Sequence, residues 1–403
     1  MTLKNLAGRA KRRLKYRRWT LDVKCHPGTA KERDDSLLLF DTSANSLNMG
    51  DSIIAHYCRI ALAQVMAERE VLRLPTHTLP EAAQLAALAE AGTKIVCGTN
   101  LMTPHFEEFS NWKMPKNLCG YRDILTLGVG WGYYCDDISP MSRFVYRTIL
   151  SRKGLHSVRD SYTEGKFREM GIDNVVNTGC PTLWGLTPEH CAAIPTHKAR
   201  RVITTLTDYD RDYARDRRMI GLLREQYEEV YVWIQGAEDE EYLRELVDAS
   251  TVMIVPRSLE AYTEALKMGD LDYVGTRLHA GIHAMNLGLR TIILAVDNRA
   301  IEMGRDFHLP VIRREELEEK LPERIHSTDP IAIELPMEQI LAWKGQFPHC
   351  YRRNPCLSPR SSITAGWAEI PSRKVSCAAS TAGANSAPTT RSGSGTRAIW
   401  TAT

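Results

Sequence analysis

Short apolar runs alternate with amphipathic stretches along most of this chain. That alternation restricts it to α/β folds built on parallel strands, because a helical crossover must carry each strand back to the same edge of the sheet. The first run, residues 36–40, ends in Asp41, and a polar loop at 42–51 leads into an amphipathic stretch at 52–69. Further strand-like segments stand at 93–98, 124–129 and 156–159, the last running into a helical pattern at 162–170 closed by Gly171. Pro181, Pro188 and Pro195 break the pattern between 179 and 199. Beyond them the alternation resumes, with strands expected near 201–206, 230–235, 251–255, 273–275 and 291–295. The expected architecture is α/β, with two doubly wound domains at 35–185 and 200–350 joined by a linker at 186–199. Ligands of such sheets bind outside the carboxyl ends of the strands, so two facing domains place a site in the cleft between them.

Composition removes several function classes. No stretch of about 18 uninterrupted apolar residues exists to span a bilayer. The net charge of +3 is too small to argue for a nucleic-acid partner. Ten cysteines contain no C-x-x-C pair, so neither a zinc knuckle nor a thioredoxin-type motif is supported, and buried thiols are expected. The arm at 1–34 carries Lys4, Arg9, Lys11, Arg12, Arg13, Lys15, Arg17 and Arg18 before the first acid, Asp22, and no apolar signal core follows. A cytoplasmic setting is expected. The arm offers a peripheral contact to anionic lipids at the inner face of the membrane, although an inert tail explains it as well. Residues 357–403 are largely Ser, Thr, Ala, Gly and Arg without period, and disorder is expected there.

The richest chemistry lies at 275–281, Gly-Thr-Arg-Leu-His-Ala-Gly, where a strand end meets a helix start. Leu278, Ile282, Met285 and Leu289 share the helix face that packs on the sheet, which leaves Arg277 and His279 for the cleft. A helix N-terminus welcomes phosphate or carboxylate, arginine grips either with paired hydrogen bonds, and histidine can deliver a proton near neutral pH. A structural salt bridge for Arg277 and a packing role for His279 are the plainer alternatives. His283, one turn on, lacks the glutamate of a zinc H-E-x-x-H pair.

Arg159, at a second strand end, can supply an opposing cation, while Asp160 or Ser161 reads equally well as a helix N-cap. The loop of Asn48, Gly50 and Asp51 is open to a ligand at its glycine, but no dinucleotide or P-loop fingerprint accompanies it. Asn298 and Glu302, after the last clear strand, are expected to face the same cleft. Glu302 is a candidate for a sugar hydroxyl, and a solvated helix face accounts for it too.

Four segments in order resemble the polysaccharide pyruvyl transferases: Asn48-Met49-Gly50-Asp51, Val158-Arg159-Asp160-Ser161, Gly179-Cys180-Pro181-Thr182-Leu183, and Thr276-Arg277-Leu278-His279 followed by Asp297-Asn298-Arg299. Cys180 stands where the family often has an acid, so that position is given no ligand role. The resemblance implies two Rossmann-like domains arranged as in GT-B glycosyltransferases. It also implies transfer of pyruvate from phosphoenolpyruvate, as a ketal, onto two hydroxyls of a polysaccharide or lipid-linked glycan precursor, with no metal or cofactor. Arg277, Leu278 and His279 would contact phosphoenolpyruvate, with Arg159 as second cation and His279 as the acid. A GT-B glycosyltransferase using a nucleotide sugar and an inactive glycan-binding homologue remain as rivals.

Overall fold

The computed structural model describes residues 33–66, 70–115, 118 and 120–347. Most of the basic arm and all of the 357–403 tail lie outside them, and so do the expectations of membrane contact and disorder.

The first half runs β1 (Arg33–Asp41), α1 (Met49–Met66), β2 (Glu70–Pro75), α2 (Ala82–Glu90), β3 (Ala91–Cys97), β4 (Asn100–Met102), β5 (Ile124–Leu127), β6 (Gly130–Trp131), α3 (Pro140–Ile149), β7 (His156–Val158), α4 (Ser161–Glu169) and β8 (Val175–Asn177). A short helix, α5 (Pro188–Ala192), begins at one of the prolines of the 179–199 stretch, which suits the first turn because it has no N–H to lose. The second half runs β9 (Arg201–Thr204), α6 (Tyr213–Gln226), β10 (Glu229–Trp233), α7 (Asp239–Leu246), β11 (Met253–Val255), α8 (Leu259–Leu266), β12 (Leu271–Gly275), α9 (Leu278–Asn286), β13 (Thr291–Ala295), α10 (Asn298–Phe307), β14 (Val311–Arg313), α11 (Leu317–His326) and α12 (Met337–Gly345).

Both main sheets are parallel throughout. The first has the order β2-β1-β3-β5, and a bridge from Val129 to Val158 continues it towards the pair β7-β8. The second has the order β11-β10-β9-β12-β13-β14, which is the doubly wound order of a Rossmann domain. The strands are apolar on both faces because helices cover both. Leu38 and Phe40 enter one core and Leu37 and Leu39 another; in the second sheet Ile203 and Tyr273 face one core, and Val202 and Val274 the other.

Two helices tie the halves together within one compact unit. Helix α1 packs Ile54, Cys58, Leu62 and Val65 on the first sheet at three- and four-residue spacing, while Ile53 enters the core of the second half. Helix α12 returns to the first sheet, where buried Trp343 donates its Nε1–H to the Thr126 carbonyl at 3.2 Å. Among the described residues no helix is long and apolar enough to cross a membrane.

Two histidines are buried as structural groups. His156 lies 2.8 Å from the Ser151 carbonyl, and His283 sits between Tyr57 and Thr263 at 2.9 and 3.2 Å. Burial pushes their pKa values down to about 4 and about 3. Above the ordinary histidine value of about 6.5 both are neutral folded or unfolded; below it only the unfolded chain gains the proton. Stability is therefore full above about pH 6.5 and is lost on acidification, by roughly 3 kcal/mol for each histidine by about pH 4. Urea unfolding at pH values spanning that window should show the loss, and His156→Asn should lessen it.

Candidate functional site

In each sheet the strand order reverses once, between β1 and β3 in the first and between β9 and β12 in the second, and the loops that follow these strands converge. Asn48, Gly50, Asp51 and Ile54 from the β1–α1 connection, with Tyr209, Gln235, Arg277, Leu278, His279 and Arg299 from four strand ends of the second sheet, line a small cavity of about 20 Å³. Six residues expected at the site, Asn48, Gly50, Asp51, Arg277, Leu278 and His279, thus line one space. Arg159, Asp160, Asn298 and Glu302 are not in its wall.

Arg277 caps the entry to α9 and is 3% exposed. Its Nε donates to the Leu206 carbonyl at 2.6 Å, and its Nη2 donates to Asp239 at 2.6 Å and Asp208 at 2.9 Å. Both readings of Arg277 therefore apply: it is a structural ion-pair centre and it also forms part of the cavity wall. Asp239 is fixed from the other side by the N–H groups of Gln235 and Gly236 at 3.1 and 2.7 Å. Tyr209, 56% exposed, lays its ring over Arg277 at 4.9 Å and Arg299 at 5.8 Å. Arg299 is held by Asp297 and by the Tyr209 hydroxyl.

His279 occupies the first turn of α9, where backbone N–H groups have no intrahelical acceptor. Leu278 turns into the hydrophobic core and fixes the turn. Burial, reinforced by the positive charges of Arg299 and Arg159, holds the His279 pKa well below the ordinary value. An imidazole so placed favours its neutral form, which bears on the expectation that it delivers a proton near neutral pH. Its Nε2 lies 3.7 Å from Sγ of Cys180, a thiol whose pKa burial pushes up to about 11. His283 turns away to Tyr57 and Thr263, so the two histidines do not converge.

On the opposite wall Asn48 Oδ1 accepts from the Gly50 N–H at 3.0 Å and from Gln235 Nε2 at 2.8 Å, and the Met49 N–H donates to the Gln235 carbonyl at 3.1 Å. A Cβ on Gly50 would come within 2.9 Å of Gln235 Nε2. What the glycine admits is thus the Gln235 amide of the other half. Asp51 accepts from Ser46 Oγ at 2.6 Å and faces His77 Nε2 at 3.7 Å.

Arg159 is fully buried behind this space. It reaches Asp160 at 3.2 Å and Asn100 at 2.7 Å, and its Nη1 has no partner among the described residues. Asp160 is the N-cap of α4, accepting from the Thr163 N–H at 2.7 Å, as the plainer reading had it. Asn298 and Glu302 stand where the halves meet but outside the cavity wall, and contacts across the halves occupy them: Asn298 donates to the Trp131 carbonyl at 3.2 Å, and Glu302 accepts from Tyr134 at 2.6 Å and pairs with Arg305. A Cβ on Gly130 would stand 2.1 Å from the Arg159 guanidinium carbon. Gly130→Ala is accordingly expected to displace Arg159 and lower turnover by more than tenfold, with a stability loss of about 1–3 kcal/mol from overpacking. Steady-state kinetics beside thermal unfolding separates the two effects.

Tyr209 and Gln235 carry no motif in the sequence, and Arg299 enters there only as the last residue of Asp297-Asn298-Arg299, without a site role. Each follows the carboxyl end of a second-sheet strand, β9, β10 or β13, and that position is the signal that could have found them.

The model of the polysaccharide pyruvyl transferase family matches residues 48–298, more than half of the chain and every residue of the cavity wall except Arg299. The chain belongs to this family. Membership places the chain among transferases that modify polysaccharides. No curated protein sequence gives a significant match. Among solved structures it is similar to the apo lipopolysaccharide outer core galactosyltransferase WaaB (11% identity, 78% of this chain and 96% of that one, TM-score 0.40). It is also similar to the wall teichoic acid polymerase TagF (12%, 86% and 90%, 0.36) and to a UDP-N-acetylglucosamine 2-epimerase (12%, 79% and 95%, 0.38). The fold assignment rests on the strand orders themselves.

Proposed function

We propose that the cavity binds phosphoenolpyruvate and that this pyruvyl transferase passes its pyruvyl group, as a ketal, to two hydroxyls of a sugar in a surface polysaccharide or its lipid-linked precursor, on the cytoplasmic side. The observation that carries the reading is His279 in the first turn of α9, with Arg277 and Arg299 in the same cavity wall. Phosphate and carboxylate of one small ligand match two guanidiniums and a helix N-terminus. Burial lowers the His279 pKa most, and an anion beside Arg299 and Arg159 offsets their repulsion, so the pKa rises and His279 can hand a proton to the methylene carbon of the enol. Arg159, buried behind it with one unpaired nitrogen, supplies the further positive charge that steadies the carboxylate and the departing phosphate. We place the division between the two Rossmann-like domains in the stretch at 186–199.

The test is phosphate release from phosphoenolpyruvate with a panel of aryl glycosides of the common hexoses and N-acetylhexosamines, read beside mass spectrometry of the glycoside. A product heavier by pyruvate less water is expected. A gain of a hexose from added nucleotide sugar, with phosphoenolpyruvate untouched, would put a glycosyltransferase in its place.

A further inference from the structure

The cavity has two chemically different walls. Arg277 and Arg299 stand on the side of the second sheet, where an anion belongs. The side of the first sheet carries a carboxylate, Asp51, buried to 7% exposure in the first turn of α1. Its Oδ2 accepts from Ser46, whereas Oδ1 has no hydrogen-bond partner among the described residues. Gln235 presents a second oxygen without a donor: its Nε2 is tied to Asn48, and its Oε1 is buried and unpaired although the residue is only 3% exposed. A trianion such as phosphoenolpyruvate would be repelled by two oxygen acceptors, one of them charged. Hydroxyl groups of a neutral sugar satisfy both, since each brings a donor.

His77 stands beside the Asp51 carboxylate. It follows β2 at the carboxyl end of the first sheet, and its Nδ1 lies 3.2 Å from the Asn111 carbonyl, an arrangement in which Nδ1 must donate. A neutral imidazole would then turn the Nε2 lone pair towards Asp51 Oδ2, 3.7 Å away. An imidazolium facing a carboxylate removes that clash, and the Asp51 carboxylate does raise the His77 pKa. The other charges near the pair are Lys113, which opposes protonation of His77, and Arg277 and Arg299 across the cavity.

We propose that Asp51 is the base that takes the proton from the attacking acceptor hydroxyl, with His77 as the positioning residue that holds its carboxylate, an assignment that rests on the pyruvyl-transfer reading above. In the first step the hydroxyl O–H bond breaks, its proton passes to Asp51 Oδ1, and the oxygen bonds the central carbon of phosphoenolpyruvate. The enol electron pair takes a proton from His279 at the methylene carbon. In the second step the neighbouring hydroxyl displaces phosphate, which leaves with the electron pair of its C–O bond and carries off that hydroxyl's proton. Asp51 releases its proton to water, and His279 takes one back.

The experiment uses the full chain, its Asp51→Asn and His77→Gln variants, phosphoenolpyruvate, and the aryl glycoside that accepts pyruvate from the parent protein. Asp51→Asn should keep the parent's thermal stabilisation by phosphoenolpyruvate and lose about 10²–10⁴-fold in kcat. His77→Gln should keep the same stabilisation, lower kcat/KM, and lose the alkaline fall in kcat/KM that deprotonation of His77 imposes on the parent, since the Asp51 carboxylate raises the His77 pKa. Turnover by Asp51→Asn within tenfold of the parent, or a pH profile unmoved in His77→Gln, overturns the assignment. Failure of the parent itself to bind phosphoenolpyruvate would instead overturn the reading on which it rests.

Discussion

Arg277→Ala is expected to cost the fold about 3–5 kcal/mol, the range for removing one partner of a buried ion pair. Asp239 and Asp208 would lose the guanidinium that now neutralises them, and Asp239 is 1% exposed. The loss has a pH signature. Burial already pushes the Asp239 pKa up, with Arg277 opposing, so the variant raises it further above the unfolded value. A raised folded pKa gives stability that is present at low pH and lost as pH rises, so the variant should lie closer to the parent near pH 5 than near pH 8 in urea unfolding. Asp239→Asn in the Arg277→Ala background should recover part of the loss. Arg277→Ala alone is therefore a poor probe of ligand binding, because it removes a structural centre together with a wall of the cavity. An effect that stays flat with pH would show that Asp239 finds another partner.

His279→Gln should behave in the opposite way, with turnover reduced about 10²–10⁴-fold and stability close to that of the parent. Burial favours the neutral imidazole, and its one polar side-chain contact among the described residues is to Cys180, so its loss leaves no buried charge unpaired. If the anionic donor raises the His279 pKa, binding must draw a proton from solution. Calorimetry of phosphoenolpyruvate in buffers of different ionisation heat should detect that uptake in the parent and a smaller one in the variant. Normal turnover by His279→Gln would remove it from the role of acid.

The parts of this architecture legible in the sequence are those whose pattern follows from burial on both faces. Strands β1, β3, β9, β12 and β13 are apolar runs because helices cover the sheets on either side, and the turn from β12 into α9 announces itself through Arg277, Leu278 and His279. Strand β2 was missed because it lies at the edge of its sheet, where Glu70 and Arg73 face solvent or half-face it and mask the run. Strands β8 and β14 have three residues each, too few to show a period.

At the site, the sequence told which loops converge but not what each side chain is paired with. Asn298 and Glu302 carry the right chemistry in the right loop, yet the opposite lobe claims both, through Trp131 and Tyr134. The low pKa of His279 comes first from burial and then from Arg299 and Arg159, one 20 residues after it and the other 120 before it in the chain, which no local pattern reports. Asp51 and His77 are likewise 26 positions apart and meet only because β1 and β2 are neighbours in the sheet.

The central claim is that this cavity is a phosphoenolpyruvate site, and thermal unfolding of the parent protein with phosphoenolpyruvate or a uridine or guanosine diphosphate sugar tests it most directly. A ligand that binds only the folded chain at one hundred times its Kd adds about 2.7 kcal/mol of stability. The account predicts a saturable rise in Tm with phosphoenolpyruvate, retained in His279→Gln, and none with the nucleotide sugars; a rise with a nucleotide sugar alone would contradict it.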